Sequence, residues 1–124
     1  MSGICLAAGA LHAVLLANAF TLSWTHSVEK TEWQEDYRVV AGALRLESAR
    51  IKGSGAGMEP PDDAVLRDGW WEYRPRVAPM PILRLTFSHA TADYRLCWAA
   101  GCKSLGDLLK GLPDSAVIEI KPCT

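Results

Sequence analysis

Over most of the chain apolar and polar residues alternate one by one, the pattern that the pleat of a half-buried β-strand imposes. Phe20, Leu22 and Trp24 share one parity, with Thr21, Ser23 and Thr25 on the other. Trp33, Tyr37 and Val39 repeat the pattern against Gln34, Asp36 and Arg38, and Leu44 and Leu46 repeat it against Arg45 and Glu47. These three segments predict a meander, turning over residues 27–31 and then tightly over Ala41-Gly42.

Residues 53–63 read Gly-Ser-Gly-Ala-Gly-Met-Glu-Pro-Pro-Asp-Asp, a loop by its turn residues. Asp68-Gly69 predicts a turn into a strand over residues 70–73, and the prolines between Pro75 and Pro81 predict irregular chain. Leu83, Leu85 and Phe87 alternate with Arg84, Thr86 and Ser88, and Tyr94, Leu96 and Trp98 alternate with Arg95 and Cys97. One short helix is expected, capped by Ser104 with Asp107 three residues on, apolar along Leu105, Leu108 and Leu109, and stopped by Gly111 and Pro113. Residues 117–120 read as a last strand. The expected fold is mostly β: a small antiparallel barrel or sandwich of about eight strands with one short helix near the C-terminus.

The first uncharged stretch, residues 4–20, contains Ala17-Asn18-Ala19, which resembles a signal-peptidase site. No Lys or Arg precedes it, and Gly9, His12 and Asn18 interrupt it too often for a membrane span. Two strands, residues 4–8 and 11–16 around a Gly9-Ala10 turn, are the better reading. At 124 residues the chain is expected to form a single domain, 1–124. The 13 Lys and Arg against 14 Asp and Glu give no basic field for a phosphate backbone, so nucleic acid is not expected as a partner.

Cys5, Cys97, Cys102 and Cys123 are disulfide candidates in an oxidising compartment; four cysteines allow three pairings, and the sequence does not choose among them. Cys97 and Cys102 flank four residues as a hairpin tip would. A zinc site wants two close cysteine pairs, and only one is present. No cofactor is expected.

Carrying the Ala41-Gly42 register along the meander sets Glu35 opposite Ser48 and Trp33 opposite Arg50. The parity of Phe20 and Trp24 also points His26 inward, and a loop over residues 27–32 would set it opposite Trp33 and diagonal to Glu35. His26, Glu35, Ser48 and Arg50 would then gather at one end of the core face. The cluster is either a recognition site or an ion-pair network closing the end of the sheet. A bulge near Ser48 would reverse the register, turn Ala49 and Ile51 inward and remove Arg50.

Other motifs are weaker. Gly53, Gly55 and Gly57 can cradle an anion or simply supply positive φ, and Pro60-Pro61 stands where a phosphate-binding helix would be needed. Ser27 and Ser54 lack a nucleophile elbow, and His12, His26 and His89 lack metal-ligand spacing. Trp70 and Trp71 point to opposite faces of their strand, one toward the core and one toward a pocket or partner.

Residues 20–31 (Phe-Thr-Leu-Ser-Trp-Thr-His-Ser-Val-Glu-Lys-Thr), Glu35, Gly55-Ala56-Gly57-Met58, Asp68-Gly69-Trp70 and the 105–109 helix resemble a bacterial family catalogued as domain of unknown function eighteen-fifty. Its members resemble companions of tripartite TRAP-type transporters of the TAXI subclass, and many resemble exported proteins. The resemblance implies functional positions at His26, Glu29, Glu35 and Gly57. With the cluster above, the expected ligand-binding set is His26, Glu29, Glu35, Ser48, Arg50, Gly55, Gly57, Met58 and Trp70.

Three classes of function follow. The first is a non-enzymatic accessory or binding module whose partner is a transporter subunit or its substrate-binding protein. A second is a structural or interaction domain meeting a protein through Trp70-Trp71 and residues 77–82. A third is a small hydrolase-type enzyme using Glu35 or His26 as general base.

Overall fold

The computed structural model describes residues 3–25, 31–52, 61–90 and 92–123. Alternation becomes eleven strands and one helical turn, in the order β1 (Gly3–Ala8), β2 (Leu11–Leu15), β3 (Ala19–Thr25), β4 (Glu32–Val40), β5 (Ala43–Lys52), β6 (Val65–Arg67), β7 (Trp70–Tyr73), β8 (Leu83–Ser88), β9 (Arg95–Trp98), β10 (Gly101–Ser104), α1 (Leu105–Leu108) and β11 (Ser115–Cys123). The strands form two open antiparallel sheets. The smaller runs β2-β1-β11-β8 and the larger β10-β9-β3-β4-β5-β7-β6. The described strands outnumber the expected eight because short pieces such as β6, of three residues, pair at the sheet edges.

The two-strand reading of the N-terminus holds, with β1 and β2 pairing around Gly9-Ala10. Both tight turns use the backbone that their residues favour: Ala41 and Gly42, and Asp68 and Gly69, all have positive φ, as a two-residue type I′ hairpin requires.

The core lies between the sheets. Ile4, Leu6, Ile118, Ile120, Leu85 and Phe87 from the smaller sheet meet Phe20, Leu22, Tyr37, Leu44, Leu46 and Leu96 from the larger. The chain crosses between them at Met80, whose N–H and carbonyl both pair with Leu44 at 2.9 and 2.8 Å. The Ser104 hydroxyl caps α1 by accepting from the Asp107 N–H at 3.1 Å. This seats Leu105 and Leu109 in the core, each contributing roughly 1.5–3 kcal/mol by burial.

Candidate functional site

The pairing of β4 with β5 decides which polar residues meet. From the turn, Val39 faces Leu44 and Tyr37 faces Leu46 as expected, but Asp36 then faces Ser48, leaving Glu47 as an extra residue. Beyond this bulge Glu35 faces Ala49, Gln34 faces Arg50 and Trp33 faces Ile51. The expected register, with Glu35 opposite Ser48 and Trp33 opposite Arg50, is corrected accordingly. Ala49 and Ile51 turn inward, 1% and 3% exposed, and Ser48 and Arg50 turn out to the opposite face from Glu35.

On that outer face a polar network forms around Asp36. Arg50 reaches its carboxylate at two points, Nη1 to Oδ2 at 2.6 Å and Nη2 to Oδ1 at 3.0 Å. Ser48 and Thr21 donate to the same carboxylate at 2.6 Å each, and Arg50 Nε donates to Gln34. Burial alone would raise the Asp36 pKa, but the bonds from Arg50, Ser48 and Thr21 outweigh it and hold the carboxyl at about 2. The network satisfies itself and reads as a structural clamp across β3, β4 and β5.

Glu35 has the opposite environment. It lies on the core face between Leu22 and Ala49, both 1% exposed. Among the described residues its one hydrogen bond is from the Tyr37 hydroxyl at 2.8 Å, and burial outweighs that bond to raise its pKa. Among the described residues no cation pairs with it. Trp33 stands two residues before it on the same face, and Trp24, directly opposite Trp33, is stacked on that ring with centroids 5.9 Å apart. Tyr94 tilts against Trp24 at 5.9 Å. Tyr73 follows Ala49 in the same cross-strand row. Burial, and after it the Glu35 charge, raises the pKa of both Tyr73 and Tyr94. The Trp33 Nε1 is buried without a hydrogen-bond partner. Tyr73 also lines a hollow of about 380 Å³ with Pro61, Asp62 and Pro75.

The remaining expected residues are dispersed. His26, Glu29, Gly55, Gly57 and Met58 lie outside the described residues. Trp24, not His26, faces Trp33, so the register of that hairpin is also corrected. Trp70 is on the outer face, with Lys52 Nζ 5.4 Å from its ring centroid, and Trp71 opposes Ile51 on the core face. The cysteines pair as Cys5–Cys123 and Cys97–Cys102. Among the described residues no group of three or more His, Cys, Asp or Glu is placed to hold a metal, and no helix is long and apolar enough to cross a membrane.

Asp36 and Thr21, the centre of the outer network, were visible in the sequence only as the polar parity of their strands. In the sequence Trp24, Trp33, Tyr73 and Tyr94 stand out only as strand positions; that they frame Glu35 depends on cross-strand pairing.

The fold and site define a two-sheet antiparallel sandwich with a lone, aromatic-framed carboxyl on its larger sheet. Residues 20–105, well over half of the chain, match the family described as Domain of unknown function (DUF1850), and the chain belongs to that family. The match covers β4, β5, β7, β9 and all but the first residue of β3, and with them Glu35, its aromatic neighbours and the Asp36 clamp. No curated protein and no solved structure shows significant similarity to it.

Proposed function

We propose that this chain is a non-enzymatic accessory or binding module of a tripartite TRAP/TAXI-type solute transporter, with Glu35 at the centre of its recognition site. The transporter link is supported by the sequence resemblance to companions of such transporters. The observation that carries the binding role is the contrast between neighbours: Asp36 is fully engaged by its own sheet, whereas Glu35, among the described residues, holds a carboxyl on an apolar face with a single tyrosine bond. A half-buried carboxyl with no cation beside it among the described residues, set amid aromatic rings, is a feature of sites that wait for a ligand. Two disulfides suit work in an oxidising compartment.

The test is solute uptake in cells that express the transporter with the wild-type chain, with Glu35→Gln or with no chain. Uptake should fall at least fivefold without the chain and with Glu35→Gln expressed at equal level. Unchanged uptake in both would sink the reading. Loss in the deletion alone would keep the accessory role and move recognition away from Glu35.

A further inference from the structure

We propose that the Glu35 site takes a small organic cation, an ammonium group carried on a short apolar body. This rests on the binding-module reading and names its ligand class.

The first argument is charge. On the core-facing side of β3, β4, β5, β7 and β9, Glu35 is the one charged residue among those described. Elsewhere in the sheets Asp36, Glu47, Glu72 and Glu119 each have an arginine within 4 Å, namely Arg50, Arg38, Arg67 and Arg84. Among the described residues Glu35 has none, and a bound cation would supply a countercharge to this half-buried carboxyl. An anionic ligand would meet repulsion in a site of low polarity, where charge is poorly screened.

The second argument is the frame. Trp24, Trp33, Tyr73 and Tyr94 present indole and phenol rings, whose negative faces attract cations and offer an apolar wall to an alkyl body. The third argument is the buried Trp33 Nε1, a donor with no partner. It can take an acceptor atom of the same ligand, so an amine bearing a hydroxyl or carbonyl oxygen fits better than a plain alkylammonium.

The experiment is calorimetric titration of the full chain with choline and with its uncharged isostere 3,3-dimethyl-1-butanol, at constant ionic strength, and with succinate as an anion. Choline should bind saturably, at least tenfold more tightly than the isostere, with succinate silent. Glu35→Gln should weaken choline at least tenfold, and Glu119→Gln, which removes the same charge from the other sheet, should leave it unchanged. Equal binding of choline and the isostere, tighter binding of succinate, or choline binding indifferent to Glu35→Gln each overturns the cation assignment. Silence of choline also overturns it. Glu35-dependent uptake in cells would then still uphold the binding module, whereas its absence would remove both.

Discussion

Glu35 and Asp36 are consecutive carboxylates that the strand pleat sends to opposite faces of the same sheet. Burial raises the pKa of one, and hydrogen bonds from Arg50, Ser48 and Thr21 lower that of the other. Neighbouring positions thus hold one carboxyl that an arginine and two hydroxyls engage and one that, among the described residues, meets a single tyrosine hydroxyl. The division depends on the bulge in β5 that absorbs the extra residue Glu47 and so leaves Ser48 and Arg50 on the Asp36 side.

The clamp should make the protein acid-sensitive. The folded Asp36 pKa is depressed from 3.8 to about 2, so its stabilisation is present above pH 3.8 and is lost as pH falls toward 2. Because the pair is partly exposed, its contribution is discounted to about 1–2 kcal/mol. Asp36→Asn should lower stability at pH 7 by that amount and flatten the wild-type loss between pH 4 and 2. Urea denaturation across that range measures both.

Glu35→Gln should do the reverse. A carboxyl whose folded pKa is raised favours the fold below its ordinary titration range, and that benefit is lost as pH rises through the folded pKa. Tyr37, Tyr73 and Tyr94 beside it are themselves raised, so they stay neutral through this window. At pH 7 the cost of ionising Glu35 in the fold therefore opposes folding, and its amide isostere should stabilise by about 0.5–1 kcal/mol, with the gain gone near pH 4. Thermal melts at the two pH values decide. Gained stability together with lost uptake would mark Glu35 as retained for function.

The strands, both type I′ turns and the Ser104 cap were legible because each is local: period-two alternation, a residue pair that tolerates positive φ, and a hydroxyl three residues before an acid. The candidate site was legible only in part. Glu35 stood out as an acid on an apolar parity, and it does face the core. Its companions did not follow, because a bulge adds one residue and no periodic pattern changes on the near side of it. Its position reflects where polar pairs can form across strands: stepping at Glu47 lets Ser48 and Arg50 reach Asp36 and buries Ala49 and Ile51 in their place. The same holds for the first hairpin, where stacking of Trp24 on Trp33 sets the register that the loop length left open.

The two disulfides should differ in worth. Cys5–Cys123 joins β1 to the end of β11 across a sequence separation of 118, whereas Cys97–Cys102 spans 5 within one hairpin. Chain-entropy arguments give about 4–5 kcal/mol for the long closure and about 2 kcal/mol for the short one. Replacing Cys5 and Cys123 together by serine should thus lower the denaturation midpoint about twice as far as replacing Cys97 and Cys102. Equal losses in guanidinium titrations would refute the entropic account.

Single-residue deletions in β5 test whether the bulge controls the faces of the sheet. Removing Glu47 leaves Leu46 next to Ser48, so Leu44, Leu46, Ala49 and Ile51 keep the core face while Ser48 and Arg50 keep the outer one. The variant gives up only the Arg38–Glu47 pair, whose side chains are 49% and 40% exposed. It should unfold cooperatively within about 1–2 kcal/mol of wild type, the range of ordinary substitutions. Removing Arg45 is equally small in composition but leaves Leu44 beside Leu46, and alternation must then expel one of two buried leucines from the core. The loss should exceed 3 kcal/mol, in keeping with about 2–5 kcal/mol for emptying a buried leucine site. Circular dichroism melts of the two deletions separate the cases. If Glu47 proved as intolerant as Arg45, the bulge would be required by the fold itself rather than being the means by which β5 absorbs one extra residue.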